Sequence, residues 1–126
     1  MLTIRDAIPV DASLIQALIQ ELAEYDGEAD HVRTTEADIA RDGFGINAKF
    51  RTLIAEWGSE AAGFALSFPD YSTWRGSGIY LEDLFVRPGF RRRGIGTALL
   101  AKVAQNARDE GYAFVRWAVL DWNERR

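Results

Sequence analysis

Cysteine is absent from this sequence, and histidine occurs once, as His31. Without cysteine there is no disulfide framework, no thiolate metal site and no cysteine nucleophile. A single histidine forms neither a catalytic triad nor a histidine metal cluster, so we expect no metal ion. Apolar runs stay below the roughly eighteen residues that a membrane-spanning helix requires. The first residues also lack a basic-then-apolar leader, and we expect a cytoplasmic protein without a membrane span.

Positive charge is in short supply as well. The chain has 15 Lys and Arg against 19 Asp and Glu, a net charge of −4. Nucleic-acid binders usually carry an overall or one-faced positive excess, so we expect no nucleic-acid partner. At 126 residues, with 48% hydrophobic and 27% charged residues, the chain fits one globular domain spanning residues 1–126.

One short segment nevertheless concentrates arginine and glycine. Residues 91–96 read Arg-Arg-Arg-Gly-Ile-Gly, follow an apolar run that ends at Val86, and open a helical pattern. Glycines allow close backbone approach to a ligand, and a helix N-terminus adds unpaired N–H groups. This arrangement is typical of a phosphate site and suits a pyrophosphate. The alternative is a solvated basic turn or a nucleic-acid patch, which the neighbouring Glu82, Asp83 and Asp109 make less favourable.

The spacing of this segment excludes two common phosphate motifs. A dinucleotide fingerprint needs a third glycine three positions after the second, where this chain has Leu99. A P-loop needs a Gly-Lys-Ser/Thr sequence, and no lysine occurs in this segment.

Apolar periodicity predicts the order β-α-α-β-β-β-α-β. Asp11 or Ser13 is the expected cap of the first helix, and Thr35-Glu36-Ala37-Asp38 resembles a capping box for the second. We expect an α/β (α+β) fold: a mixed, mostly antiparallel twisted sheet with flanking helices. The predicted strands cover residues 2–6, 50–56, 61–68, 79–86 and 114–120, and the helices cover 15–22, a short segment from 35, and 94–111.

The motif and its surroundings resemble a known family. Arg91-x-x-Gly94-x-Gly96 fits the Arg/Gln-x-x-Gly-x-Gly/Ala signature of the GNAT N-acetyltransferase superfamily. The segments Tyr80-Leu81-Glu82-Asp83-Leu84-Phe85-Val86 and Trp117-Ala118-Val119-Leu120-Asp121-Trp122-Asn123-Glu124 closely resemble the diamine (spermidine/spermine) acetyltransferase family. Gln20-Glu21-Leu22-Ala23-Glu24-Tyr25 resembles the end of that family's first helix, so the resemblance covers essentially the whole chain.

This resemblance implies acetyl-CoA as cosubstrate and no metal. Backbone groups of residues 84–86 would hold the pantetheine arm and the thioester carbonyl, and the arginine–glycine segment would hold the pyrophosphate. The implied cofactor-binding residues are Leu84, Phe85, Val86, Arg91, Arg92, Arg93, Gly94, Ile95, Gly96, Thr97 and Asn123.

The resemblance also implies a small-molecule amine substrate. Glu82 would contact the amine and is the candidate base, because an alkyl ammonium with a pKa near about 10.4 must lose a proton before it attacks. Tyr25, Asp26 and Asp30 lie where family members present polar groups to a polyamine, and Trp74 is expected at the substrate mouth. The alternatives are an exposed strand end for Glu82 and Asp83 and a solvated loop for Asp26 and Asp30.

The sequence departs from the family pattern after Asn123. The family continues with a helix whose tyrosine is thought to protonate the departing thiolate, and no residue here matches that general-acid tyrosine. A fragment, a natural truncation and a divergent enzyme are the competing explanations. We expect a C-terminally truncated fold whose last strand has an exposed edge, and therefore a homodimer. The expected function is N-acetylation of a small polyamine or lysine-like amine. The alternatives are a non-catalytic coenzyme A or polyamine-binding module, and peptide or protein acetylation.

Overall fold

A five-stranded sheet organises the fold in a computed structural model that describes residues 1–118. Along the chain lie β1 (Leu2–Asp6), α1 (Ala12–Tyr25), α2 (Glu36–Asp42), β2 (Arg51–Trp57), β3 (Glu60–Ser72), β4 (Gly76–Val86), α3 (Ile95–Asp109) and β5 (Val115–Arg116). The strands lie in the order β1-β2-β3-β4-β5. The first three pairs are antiparallel and β4 pairs in parallel with β5. The expected mixed, mostly antiparallel sheet with flanking helices is confirmed.

The helices cover both faces of this sheet because each has one apolar stripe. Ile15 and Leu18 of α1, with Ile39 of α2, pack on Phe64 and Phe85. The apolar stripe of α3 recurs every four residues and packs on the opposite face of the sheet: Ile95, Leu99, Val103 and Ala107 contact Leu53, Ala65, Ile79 and Leu81. Within residues 1–118, no helix has the length and apolar character needed to cross a membrane.

The two predicted helix caps have different outcomes. The capping box of α2 is confirmed, since the Thr35 hydroxyl accepts from the Asp38 amide at 3.2 Å and the Asp38 carboxylate accepts from the Thr35 amide at 2.9 Å. The predicted side-chain cap of α1 is wrong. Asp11 precedes the helix, but its carboxylate accepts two hydrogen bonds from Arg5, at 2.7 and 3.0 Å, and one from the Ile8 amide. Ser13 lies inside the helix.

The predicted boundaries of β3 and β4 are too short. Residues 69–77 were expected to form a loop, yet Pro69 pairs with Ile79 and Ser72 with Gly76, so the strands continue as a hairpin. The Ser72 hydroxyl accepts from the amides of residues 74 and 75 and closes the turn. The predicted strand 114–120 is observed as Val115–Arg116, and its part from residue 119 onward lies outside the described residues.

Candidate active site

Among residues 1–118, β5 accompanies β4 only briefly. β5 pairs with Ile79 and Tyr80, and within the described residues the edge of β4 that faces away from β3 has no strand partner from Leu81 to Val86. Backbone groups along that edge can bind an extended ligand as they would an additional strand.

A β-bulge lies in the same stretch of β4. Leu66 pairs with Asp83 and Ser67 with Leu81, so Glu82 has no partner on β3. Beyond the bulge, side chains alternate between the two faces of the sheet. Since Phe85 packs on the α1 side, Asp83, two residues earlier, faces the same side.

A cleft of about 610 Å³ lies between the end of α1, the end of β4 and the start of α3. It brings together most of the predicted cofactor-binding residues, and adds Leu22, Tyr25 and Phe90. Its lining consists of Leu22, Tyr25, Leu84, Phe85, Val86, Phe90, Arg91, Arg92, Gly94, Ile95, Gly96 and Thr97.

The start of α3 supplies hydrogen-bond donors to this cleft. Gly94 precedes the helix in the left-handed conformation, with φ of 76°, and has no side chain to cap it. The first N–H groups of a helix have no intrahelical partners, and the helix dipole is positive at this end. A Cβ added at Gly96 would contact Val86 Cγ2 at 3.7 Å and no other described atom within 4 Å. The space beside the Gly96 Cα is therefore open to a ligand. These features fit a pyrophosphate.

The three loop arginines have different environments. Arg91 donates from Nε to the Val86 carbonyl at 2.9 Å, and its guanidinium lies 4.5 Å from the centre of the Tyr25 ring. Arg93 stacks on Trp57 at 4.8 Å and does not line the cleft. Arg92 lines the cleft and makes no ion pair, side-chain hydrogen bond or ring contact with residues 1–118. Among the three, Arg92 is best placed to meet an anionic ligand.

Two acidic residues are sequence neighbours of residues that line the cleft: Asp26 follows Tyr25, and Asp83 precedes Leu84. Burial, and secondarily the charges of Glu82 and Asp26, raise the pKa of Asp83 to about 7. A carboxyl group with a pKa near neutrality can accept and release a proton at physiological pH. Asp83 was missed as a site residue at the sequence level. The available signal was its position two residues before the apolar Phe85, in a segment where apolar residues alternate.

The remaining predicted site residues have varied positions. Tyr25 lines the cleft with 57% of its surface exposed, and Asp26 terminates α1. Trp74 lies at the tip of the β3–β4 hairpin, 95% exposed and outside the cleft lining. Asp30 lies in an exposed turn, and Asn123 lies outside the described residues. Among residues 1–118, no three acidic or histidine side chains are close enough to hold a metal ion.

An arginine–glycine loop at a helix N-terminus, lining a cleft beside the end of a strand, fits the class of coenzyme A-dependent acyltransferases. The profile of the Acetyltransferase (GNAT) family matches residues 15–126, and this chain belongs to that family. It is therefore a GNAT N-acetyltransferase, whose family membership implies acetyl-CoA as the acetyl donor.

Relatives and solved structures agree with this assignment. The chain is 42% identical to the thialysine N-epsilon-acetyltransferase of Bos taurus, across 97% of this chain and 76% of that protein. It is 40% identical to the thialysine N-epsilon-acetyltransferase of Caenorhabditis elegans, across 92% of this chain and 71% of that protein. An aminoglycoside acetyltransferase from an uncultured soil metagenomic sample shares the fold, with a TM-score of 0.82 at 17% identity over 98% of this chain and 81% of its own.

Proposed function

We propose that this chain transfers the acetyl group of acetyl-CoA to the primary amine of a small lysine-like molecule or polyamine. The observation that carries this proposal is the proximity of an arginine–glycine cleft to a group of acidic residues. Arg91 and Arg92 line the cleft, and Asp83, which interacts with Glu82 and Asp26, directly precedes the lining residue Leu84. Such an arrangement suits an anionic cosubstrate and a cationic amine. The thialysine acetyltransferases named above support the lysine-like class of substrate.

The residues present fit acetyl-CoA. The amides at the start of α3 and the guanidinium of Arg92 would hold the pyrophosphate, and the open edge formed by Leu84, Phe85 and Val86 would hold the pantetheine arm. Acetyl-CoA supplies an activated thioester when bound. Arg91 and Arg93 would shape the loop rather than bind phosphate, because their guanidinium groups are already stacked on aromatic rings. A contact from Asn123 remains a prediction.

Proton removal from the amine is the chemical problem that the acidic residues must solve. With a pKa near about 10.4, roughly one alkyl amine in a thousand is uncharged at pH 7.4. We assign the proton acceptor to Asp83, because its raised pKa matches the working pH, and assign attraction of the ammonium to Glu82 and Asp26. Asp83 takes one proton from the ammonium, and the neutral amine then attacks the thioester. The nitrogen–carbon bond forms as the carbon–sulfur bond breaks, the sulfur leaves as a thiolate, and the second proton lost from nitrogen passes to that thiolate or to water.

Two aromatic residues complete the proposed substrate site. Tyr25 would pack against the methylene chain of the amine, since its ring lines the cleft. Trp74 would meet only a substrate long enough to reach the hairpin tip, because it lies outside the cleft lining.

Thiol release from acetyl-CoA tests the function. The chain is assayed with spermidine, putrescine, lysine, thialysine and a lysine-containing peptide, with acetyl-CoA alone as control. We expect amine-dependent release with the small amines and little with the peptide. In Asp83→Asn, we expect a turnover loss of about 10²-fold or more with unchanged acetyl-CoA binding, since a positioned base contributes about 10²–10⁴-fold. Acetyl-CoA binding without release for any amine would instead indicate a binding module.

The homodimer and the cytoplasmic location expected from the sequence remain proposals. Light scattering over a range of protein concentrations tests the first, and a single monomeric species at high concentration would refute it.

A further inference from the structure

Two arginines of the segment that follows β4 reach across to the last turns of α1. Arg87 donates from Nε and Nη2 to the Glu21 carboxylate at 2.9 and 2.8 Å, and from Nη1 to the Ala61 carbonyl at 3.0 Å. A bidentate pair of this kind fixes orientation as well as distance, because the planar guanidinium matches the carboxylate. Arg87 therefore joins α1 to the ends of both β3 and β4.

The second arginine makes its contact one helical turn later. Arg91 holds the Val86 carbonyl through Nε and places its guanidinium over the Tyr25 ring, 4.5 Å from the ring centre. Glu21 and Tyr25 are four residues apart and so lie on the same side of α1. The two contacts thus lie along one line on the helix surface, and each starts from the loop that leads into α3.

We propose that Arg87 and Arg91 are positioning residues that clamp the C-terminal end of α1 and thereby couple the cosubstrate loop to the amine side of the cleft. This inference rests on the proposed function insofar as it places the amine beside Tyr25 and Asp26. Neither arginine needs to touch the reacting atoms to have this effect.

The end of α1 is packed less completely than its middle, although Leu22 contacts the core and the Tyr25 ring centre lies 6.3 Å from that of Phe85. Tyr25 is 57% exposed, whereas Ile15 and Leu18, further back in the helix, are fully buried. Helix ends fray when their last turn lacks packing. A cosubstrate that orders the loop would order Arg91 and, through its stack, Tyr25. The cosubstrate would thereby strengthen amine binding. By linkage, an amine bound against Tyr25 would strengthen cosubstrate binding by the factor by which the cosubstrate strengthens amine binding.

Kinetics of Arg87→Gln test the coupling, with Arg5→Gln as the matched control. Arg5 forms the same kind of bidentate pair with Asp11 at the opposite end of the same helix. We expect Arg87→Gln to raise the KM for the amine about fivefold or more, with a smaller change in acetyl-CoA affinity. Fivefold is about the lower end of the range by which one ligand typically changes the affinity for another. Arg5→Gln should lower the unfolding midpoint without changing the amine KM. Equal amine KM values in the two variants would overturn the proposal.

Hydrogen–deuterium exchange tests the clamp independently of turnover. The amides of Asp26, Gly27 and Glu28 bond back to the last turn of α1 at 2.7–3.1 Å and report on its order. Exchange there should rise in Arg87→Gln but not in Arg5→Gln, and acetyl-CoA should protect these amides less in Arg87→Gln than in the wild type. Unchanged exchange and protection would refute the clamp.

The two proposals can fail separately in this design. A wild-type chain that releases no thiol with any amine would refute the proposed function, while the exchange data would still decide the clamp. If Arg87→Gln does not fold, Glu21→Gln removes the same ion pair from the helix side and is measured in its place, with the same expected rise in exchange.

Discussion

Replacing Asp83 with asparagine should change how the stability of this protein depends on pH. The folded structure raises the pKa of this carboxyl group from 3.8 to about 7, mainly because burial disfavours the charge. The unfolded chain loses the proton near pH 4, so between about pH 4 and 7 the folded state binds more protons. Stability then falls as pH rises through this window, and stays level above it.

The size of the effect follows from the shift. Each pKa unit corresponds to about 1.4 kcal/mol, so a shift of about three units gives an upper bound of about 4 kcal/mol. Asp83 is half-buried, and partial contact with water reduces the expected loss to about 2 kcal/mol or more. Asparagine has nearly the same shape and cannot ionise, so Asp83→Asn should lack this component of the pH dependence.

Urea unfolding of both proteins at pH 5 and pH 8 measures this difference. The gain in stability from Asp83→Asn should be larger at pH 8 than at pH 5 by about 1–3 kcal/mol, because only the part of the window from about pH 5 to 7 lies in this range. Glu82→Gln is the graded control, because the Glu82 charge is the second cause of the shift after burial, and it should remove only part of the dependence. If the difference between Asp83→Asn and the wild type were the same at both pH values, the assignment of a raised pKa would be refuted.

Three further predictions concern the fold and the cleft. Asp11→Asn should destabilise the protein by about 1–3 kcal/mol at pH 7, because Arg5 lowers the pKa of Asp11; the deficit should shrink below about pH 4, and a pH-independent deficit would contradict this. Gly96→Ala should leave the midpoint of urea unfolding unchanged or raise it, since alanine favours a helix. Calorimetry should show that the same variant binds acetyl-CoA more weakly, and unchanged affinity would remove Gly96 from the cofactor site. Gly63→Ala should lower the unfolding midpoint by several degrees, because a Cβ there would collide with the Phe85 carbonyl oxygen of β4. A midpoint equal to that of the wild type would show that β3 and β4 can move apart at this position without loss of stability.

Features that depend on neighbours along the chain were predictable. The capping box of α2 involves residues three apart, the apolar stripes of α1 and α3 depend only on helical spacing, and the glycine turn before α3 is a local backbone requirement. The fold class followed from such local patterns, and all of the arginine–glycine segment except Arg93 lines one cleft.

Features that depend on distant partners were not predictable in the same way. Asp11 makes no side-chain capping hydrogen bond to α1, and its carboxylate instead pairs with Arg5 of β1. The β3–β4 hairpin extends beyond the residues with an apolar strand pattern. The two strands continue to pair outside the core because the backbone groups of each form hydrogen bonds with the other.

The division of roles within the site has the same physical origin. Three adjacent arginines are chemically identical in the sequence, and only the tertiary structure gives them different surroundings. The guanidinium of Arg91 lies over Tyr25 and that of Arg93 over Trp57, whereas Arg92 makes no such contact with the described residues. Glu82 and Asp83 are likewise adjacent acids. The pKa of Asp83 is raised because Asp83 is buried beside charged neighbours, and this placement requires both the bulge of β4 and the end of α1. Residue type and spacing thus determine the kind of ligand and chemistry, whereas desolvation and contacts across the fold determine which residue performs each step.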